Sequence, residues 1–528
     1  MMDTITLEPD RLPRPAIATP ATGPLFEDSE WDFDTLRRTY DAIERIALDH
    51  LGLEVYPNQV EIISTEQMLD AYASIGMPLF YRHWSFGKHF VRDQKFYSKG
   101  ITGLAYEIVI NSNPCISYNL EDNSMTMQTL VMAHAAFGHN HFFKNNCLFQ
   151  QWTDADGILD YLQFAKNYIA ACEERYGVDA VEEILDAGHA LMDHGVFRYH
   201  RRMPRLDEEK RRQSERMEHA ERTFNDLWRT LPTGAASIEL SDEARELAER
   251  KLRLKLPEEN ILYFIEKNSP VLETWQRECL RIVRNVAQYF YPQKQTKIMN
   301  EGCATFVHHY IMNALYDQGL LTDGAMLEFN HSHANVLTQP DFDDKRYGGI
   351  NPYALGFAMM QDIRRICTEP TDEDREWFPD FAGNGDWRGT LKWAWANFRD
   401  ESFIQQFLSP ALMRRFQMFV LTDGEKDDHY TVTAIHDERG YHAVRERLAR
   451  ANNIGLTEPN IQVADVDLLG DRELRLQHTM ASRIPLDEPS CAAVLTHLRR
   501  LWGYDVSLKG IDAETGAEHY AASTAGED

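Results

Sequence analysis

Two strongly apolar helical segments carry histidine and glutamate where hydrophobic residues belong, and this constrains the fold more than any other feature of the chain. The first is VMAHAAFGHNHFFKNN (Val131–Asn146); the second is KIMNEGCATFVHHYIM (Lys297–Met312). A fold that buries these segments buries their polar groups too. An ionised carboxylate in an apolar interior is costly unless a cation, a metal or several donors compensate it. Imidazole and carboxylate groups converging from two helices are one way to build a metal or acid/base site.

On the first segment His134 lies four residues after Leu130 and three before Phe137, on the stripe that faces the interior. His139 is five residues further, about 140° round an ideal α-helix. The two imidazoles therefore converge only if the helix ends at Gly138, the residue best able to adopt a left-handed C-cap. On the second segment Ile298, Glu301, Thr305, His308, Met312 and Leu315 form one seam at three- and four-residue spacing. About 10 Å of helix axis separates Glu301 from His308, so one serves as a ligand and the other supports it. A third cluster, EFNHSHANV, offers His331 and His333, which point the same way if the chain is extended there. Taken alone, His134 is better read as a core residue donating to a carbonyl and His139 as a helix cap. Three polar clusters beside apolar sequence favour a site.

The rest of the chain narrows the alternatives. At 528 residues it exceeds one compact core and predicts a large domain plus a smaller one. A formal net charge of −28 argues against general nucleic-acid binding, which needs a basic surface. No run of about 18 apolar residues marks a membrane span, and the N-terminus lacks a secretion signal. The 7 cysteines are dispersed without a CxxC, as in a cytoplasmic protein with reduced thiols. There is no GxSxG elbow, no GxxxxGK[ST] loop and no GxGxxG after a strand. Cys303 as a nucleophile is disfavoured by the neighbouring Glu301.

Periodicity and turn residues predict an α+β, predominantly helical chain. Residues 1–31 read as a disordered arm, 32–420 as the main domain with a charged helical excursion at 200–256, 421–510 as a small C-terminal α+β domain, and 511–528 as a mobile tail. LAYEIVINSNPCISY (Leu104–Tyr118) predicts a hairpin turning at NSNP, and Ser124 is a plausible N-cap for a helix over Met125–Phe137.

The segments YPNQVEIISTEQMLDAYASIGMP, HWSFGKHF, GLAYEIVINSNPCISY, TMQTLVMAHAAFGHNHFFKNN and QYFYPQKQTKIMNEGCATF together resemble the SpoVR family, the stage V sporulation protein R group, over about residues 32–510. The resemblance implies a cytoplasmic bacterial protein linked to spore cortex (peptidoglycan) formation or stress physiology, working beside a PrkA-type serine kinase and a von Willebrand A-like protein. Cys303 and Val307 stand where the family carries tryptophan, while Glu301 and His308 are kept. This departure suggests an altered aromatic wall and substrate shape.

A looser resemblance in layout is to gluzincin metallopeptidases, and it implies a zincin-like helical domain. By that resemblance His134, His139 and Glu301 would hold a divalent metal, zinc, with one position open to water. Ala135 occupies the place of the usual general base. Glu107 on the hairpin is the candidate base, with His308 as a second catalytic group; His141, Asn300, His331, His333 and Asn111 would support the ligands or contact substrate. The function so implied is hydrolysis of a peptide or amide bond, with a muropeptide-like substrate. The alternative is a non-catalytic regulator or scaffold in a kinase-associated assembly.

Overall fold

The computed structural model describes residues 4–6, 23–73, 81, 83, 106–198, 254–342, 344–422, 431–434, 437–468, 470–480 and 484–525. Nearly all of the charged 200–256 block, and HWSFGKHF beyond His83, lie outside the described residues. The chain forms two compact units, one of residues 1–185 and 288–458, the other of 186–287 and 459–528.

In the first unit, β1 (Thr4–Thr6), β2 (Asn58–Ile63), β3 (Glu107–Ile110) and β4 (Cys115–Leu120) make a sheet in the order β1-β2-β4-β3. β3 and β4 are the expected antiparallel hairpin, with Glu107 opposite Asn119 and Ile110 opposite Ile116. β2 runs parallel to β4. Every residue of β4 is buried, as befits a central strand covered on both faces. The N-terminal arm is a correction. β1 pairs with β2, Leu25 and Phe26 are buried, and the Leu25 amide donates to the Leu320 carbonyl at 2.9 Å.

Nine helices of this unit matter for the site. They are α1 (Phe33–Arg45), α2 (Met125–Met132), α3 (Asn140–Asn145), α4 (Lys297–Asp317), α5 (Asp323–Val336), α6 (Pro352–Thr368), α7 (Trp387–Asn397), α8 (Asp400–Phe407) and α9 (Glu438–Ala451). Asp32 caps α1 by accepting from the Thr35 amide, and Ser124 caps α2 by accepting from the Met127 amide at 3.2 Å. Phe137, Phe142, Phe306, Phe329, Phe403 and Phe407 are fully buried in one continuous core, each contributing on the order of 1.5–3 kcal/mol by leaving water.

The domain boundary also differs from expectation. β5 (Val420–Thr422), β6 (Thr431–Ala434) and α9 belong to the first unit, because Tyr441, Val444 and Ala449 of α9 complete its core. The second unit begins again at residue 459. It carries β7 (Asn460–Val466), β8 (Leu474–Met480), β9 (Val506–Asp512) and β10 (Glu518–Ser523) in the order β10-β9-β8-β7. The expected mobile tail is thus folded in part: β10 pairs antiparallel with β9. Strict alternation of buried and partly buried residues in β8 explains its period-2 sequence. Among the described residues no helix is long and apolar enough to cross a membrane.

Candidate metal centre

The spacing problem between His134 and His139 is solved by the backbone. Between α2 and α3 the helix passes through a π-helical turn, Ala133–His139, in which the Asn140 amide donates to the Ala135 carbonyl. That i→i+5 pattern brings residues five apart onto one face. The two imidazole centroids lie 4.6 Å apart, edge to face. Gly138 is not a left-handed cap, which corrects the sequence reading. It is needed for close approach: a Cβ there would fall 2.5 Å from the Ala304 Cα of α4. The glycine lets the π-turn lie against α4, directly beside the helical turn that carries Asn300 and Glu301.

On the other side α4 crosses α6 glycine to glycine. A Cβ on Gly302 would lie 2.6 Å from the Gly356 carbonyl carbon. The crossing sets Tyr353, one turn before Gly356, against Glu301, and the Tyr353 side chain helps to hold the Glu301 carboxyl ionised. The first turn of α4 is fixed by Asp400 of α8, whose two oxygens accept from the Ile298 and Met299 amides at 2.9 Å each. Burial pushes the Asp400 carboxyl up to about 7, against the pull of those amides. Its folded value therefore lies above the ordinary 3.8, so the stability it lends is complete below about pH 4 and is lost as pH rises through 7. Urea unfolding between pH 5 and pH 8 should show the native chain losing stability relative to Asp400→Asn, which lacks this slope. Parallel curves would refute it.

Four side chains converge. His134 Nε2 lies 3.7 Å from Glu107 Oε1 and 3.8 Å from Glu301 Oε2, and His139 Nε2 lies 3.7 Å from the same Glu301 oxygen. The ligand atoms of Glu107, His134 and His139 all lie within 4.8 Å of one another. Four ligands about 2.0–2.2 Å from a tetrahedral zinc are roughly 3.4 Å apart, close to the 3.7–3.8 Å that separate His134 from both carboxylates and His139 from Glu301. Glu301 Oε2 is buried without a hydrogen-bond partner. An orphaned carboxylate oxygen facing two imidazole nitrogens fits a cation between them.

The outer nitrogens are held from behind. His139 Nδ1 meets Asn300 Oδ1 at 2.9 Å, so it carries the proton and leaves Nε2 free to ligate. His134 Nδ1 meets His308 Nδ1 at 2.9 Å, and His308 Nε2 meets His333 Nδ1 at 3.0 Å. His308 thus stands behind His134 rather than facing the carboxylates. His331 and His333 diverge, because α5 is helical where an extended chain was expected. His331 is exposed and pairs with Asn335, while only His333 reaches His308. His141 takes the Glu54 amide on Nδ1 at 3.0 Å and packs on Trp395, a structural role. Asn111 donates to Thr153, and its carbonyl accepts from the Tyr289 hydroxyl; neither partner belongs to the cluster.

Electrostatics push the two carboxylates apart. Burial raises the Glu107 carboxyl, reinforced by Glu301 and only partly opposed by His134. At Glu301 burial also acts upward, but His134, His139 and Tyr353 outweigh it and the value falls. Burial lowers His139 to about 4 and His308 well below the ordinary histidine value. His134 is the exception: burial lowers it, yet the Glu301 and Glu107 carboxylates outweigh burial and raise it. Cys303 is fully buried, and burial lifts its thiol far above the ordinary range, which removes it as a nucleophile. Cys303 and Val307 both lie in the apolar core. The departure at these two positions is therefore a repacked interior rather than a reshaped wall of the site.

The fold and cluster define an α+β, mostly helical protein with a buried two-histidine, two-carboxylate centre. The family model described as SpoVR like protein matches residues 30–457, and the SpoVR-like C-terminal domain matches residues 459–513. The chain belongs to the SpoVR family. The junction between the two matches falls where the second structural unit resumes. A relative in Escherichia coli strain K12, the uncharacterized protein YcgB, is 54% identical over 486 residues, covering 92% of this chain and 93% of its own. No solved structure matches.

Proposed function

We propose that the chain is a metal-dependent hydrolase of a peptide or amide bond, with His134, His139 and Glu301 as ligands and Glu107 as the proton carrier. The observation that carries this reading is the orphaned Glu301 oxygen facing both imidazoles. Zinc held there would lower the pKa of a bound water towards about 7 and polarise an amide carbonyl. The two carboxylates divide the remaining work, as pairs pushed apart in pKa do. Glu301 stays ionised and would offset the charge of a bound cation. Glu107 Oε1, 3.7 Å from His134 Nε2, would accept a proton from the attacking water and return it to the leaving nitrogen. Asn300 and His308 fix the imidazole orientations. β3 ends its sheet among the described strands, so an extended peptide can pair along it beside Glu107.

Family membership supports a cell-wall precursor or recycled muropeptide as the substrate class, and a PrkA-type kinase with a von Willebrand A-like protein as partners. The test is metal analysis of protein purified without a histidine tag. About one equivalent of zinc is expected, lost in both His134→Ala and Glu301→Ala. Glu107→Gln should keep the metal and lose roughly 10²–10⁴-fold in hydrolysis of a muropeptide-like peptide. Folded wild-type protein that takes up no metal would sink this function.

A further inference from the structure

A second concave site opens in the first unit, and none of its lining residues is Glu107, His134, His139 or Glu301. The loop after α5, the start of α6, the chain from Arg415 to Val420 and one face of α9 enclose a cleft of about 480 Å³. That is within the size range of small-molecule sites. One wall is aromatic: the Phe342 ring lies 5.3 Å from Tyr347 and 5.2 Å from Phe419. Phe342 is 47% exposed, so this wall keeps apolar ring surface open to solvent. Phe357 also lines the cleft and packs edge-on against His309 and His333.

Two guanidinium groups line the same cleft, Arg415 and Arg447. Their neighbours are committed elsewhere. Arg414 forms a two-pronged pair with Glu373, Arg445 donates to the Leu408 carbonyl, and Arg450 pairs with Glu446. Among the described residues neither Arg415 nor Arg447 has an ion pair, and Asp341, the cleft's carboxylate, pairs with neither. On a chain of net charge −28, two unpaired cations against one carboxylate among the described lining residues are a local reversal of sign. Arginine is suited to this work, since its planar fork stacks on rings and grips oxyanions two atoms at a time.

We propose that this cleft binds a small molecule with an aromatic body and one anionic group, the body against Phe342, Phe357 and Phe419 and the anion on Arg415 and Arg447. Nothing in this assignment depends on the metal centre.

The test uses the full chain and two dyes of matched shape, anionic 8-anilinonaphthalene-1-sulfonate and neutral N-phenyl-1-naphthylamine, titrated by fluorescence. The anion should bind saturably at one site. Arg415→Ala combined with Arg447→Ala should weaken it about tenfold or more, a loss of about 1.4 kcal/mol or more, and leave the neutral dye unchanged. Phe419→Ala should weaken both dyes. The arginines are exposed, so removing them spares the core, and an unchanged thermal transition verifies folding. Equal anion affinity in wild type and the double variant would overturn the proposal. That result would mean the dye occupies the apolar cleft of the second unit, lined by Ile461, Leu476 and Val494. Absence of saturable binding would overturn it as well.

Discussion

Gly356→Val should destabilise the protein by more than about 3 kcal/mol, beyond the usual range for an overpacked core. The reason is that backbone faces backbone. A Cβ at Gly356 would press on the Ile298 carbonyl oxygen and lie 2.8 Å from the Gly302 Cα and 3.1 Å from its nitrogen. No side chain stands between the helices to swing aside, so α4 and α6 must separate along their whole crossing. That separation also withdraws Tyr353 from Glu301, and the variant should therefore hold metal poorly even where it remains folded. The control is Gly348→Val, since nothing lies within 4 Å of the position its Cβ would take; its stability should stay within about 0.5 kcal/mol of wild type. Urea unfolding decides between them, and a Gly356→Val midpoint equal to wild type would refute the crossing as described.

The same geometry explains which parts of the site the sequence disclosed. His134 and Glu301 were legible because a polar group on an apolar stripe is a local pattern. Glu107 was legible because strand alternation separates it from Tyr106 and Ile108. The convergence of His134 with His139 was foreseen, but for the wrong reason. A π-turn has no local sequence signature; here it accompanies the close approach of Gly138 to Ala304 and sets the two imidazoles 4.6 Å apart. His333 was placed on an extended segment, whereas α5 is helical, with Thr322 accepting from the Ala325 amide as its cap. The Thr322-Asp323 start was a readable signal for this. Tyr353 and Asp400 were missed because they act from helices 52 and 99 residues beyond Glu301, and only tertiary packing makes them neighbours.

The fold was legible to a similar depth. The helix expected from Met125 starts there, with Ser124 as its cap, and the hairpin expected over 104–118 is β3 and β4. The unit boundary was not legible. A strand–helix pattern at 431–451 reads the same whichever core it joins, and α9 joins the first because its apolar face closes over α8. The C-terminal segment was underestimated because β10 alternates weakly, with most of its residues exposed. An edge strand of that kind is held by its ladder to β9 more than by burial.

Metal uptake by the cluster should strengthen with rising pH and then level off, and the break reports His134. Coordination requires neutral imidazole. His139 sits at about 4, so above about pH 5 it has no proton to lose. His134 is raised by Glu301 and Glu107 and therefore keeps to higher pH than an ordinary histidine the proton that a metal must displace. Below its pKa the logarithm of the apparent affinity should climb by about one unit per pH unit; above it the curve should flatten. Glu107, raised from 4.5, steepens the acid end if it too must ionise. Glu107→Gln removes one of the two anions that lift His134, so its break should move to lower pH even though the plateau affinity falls. Competition against a zinc-chelating dye between pH 5 and pH 9 measures both curves. A flat profile for wild type, or a break that stays in place in Glu107→Gln, would mean that the carboxylates do not control His134 and that the four groups do not act as one site.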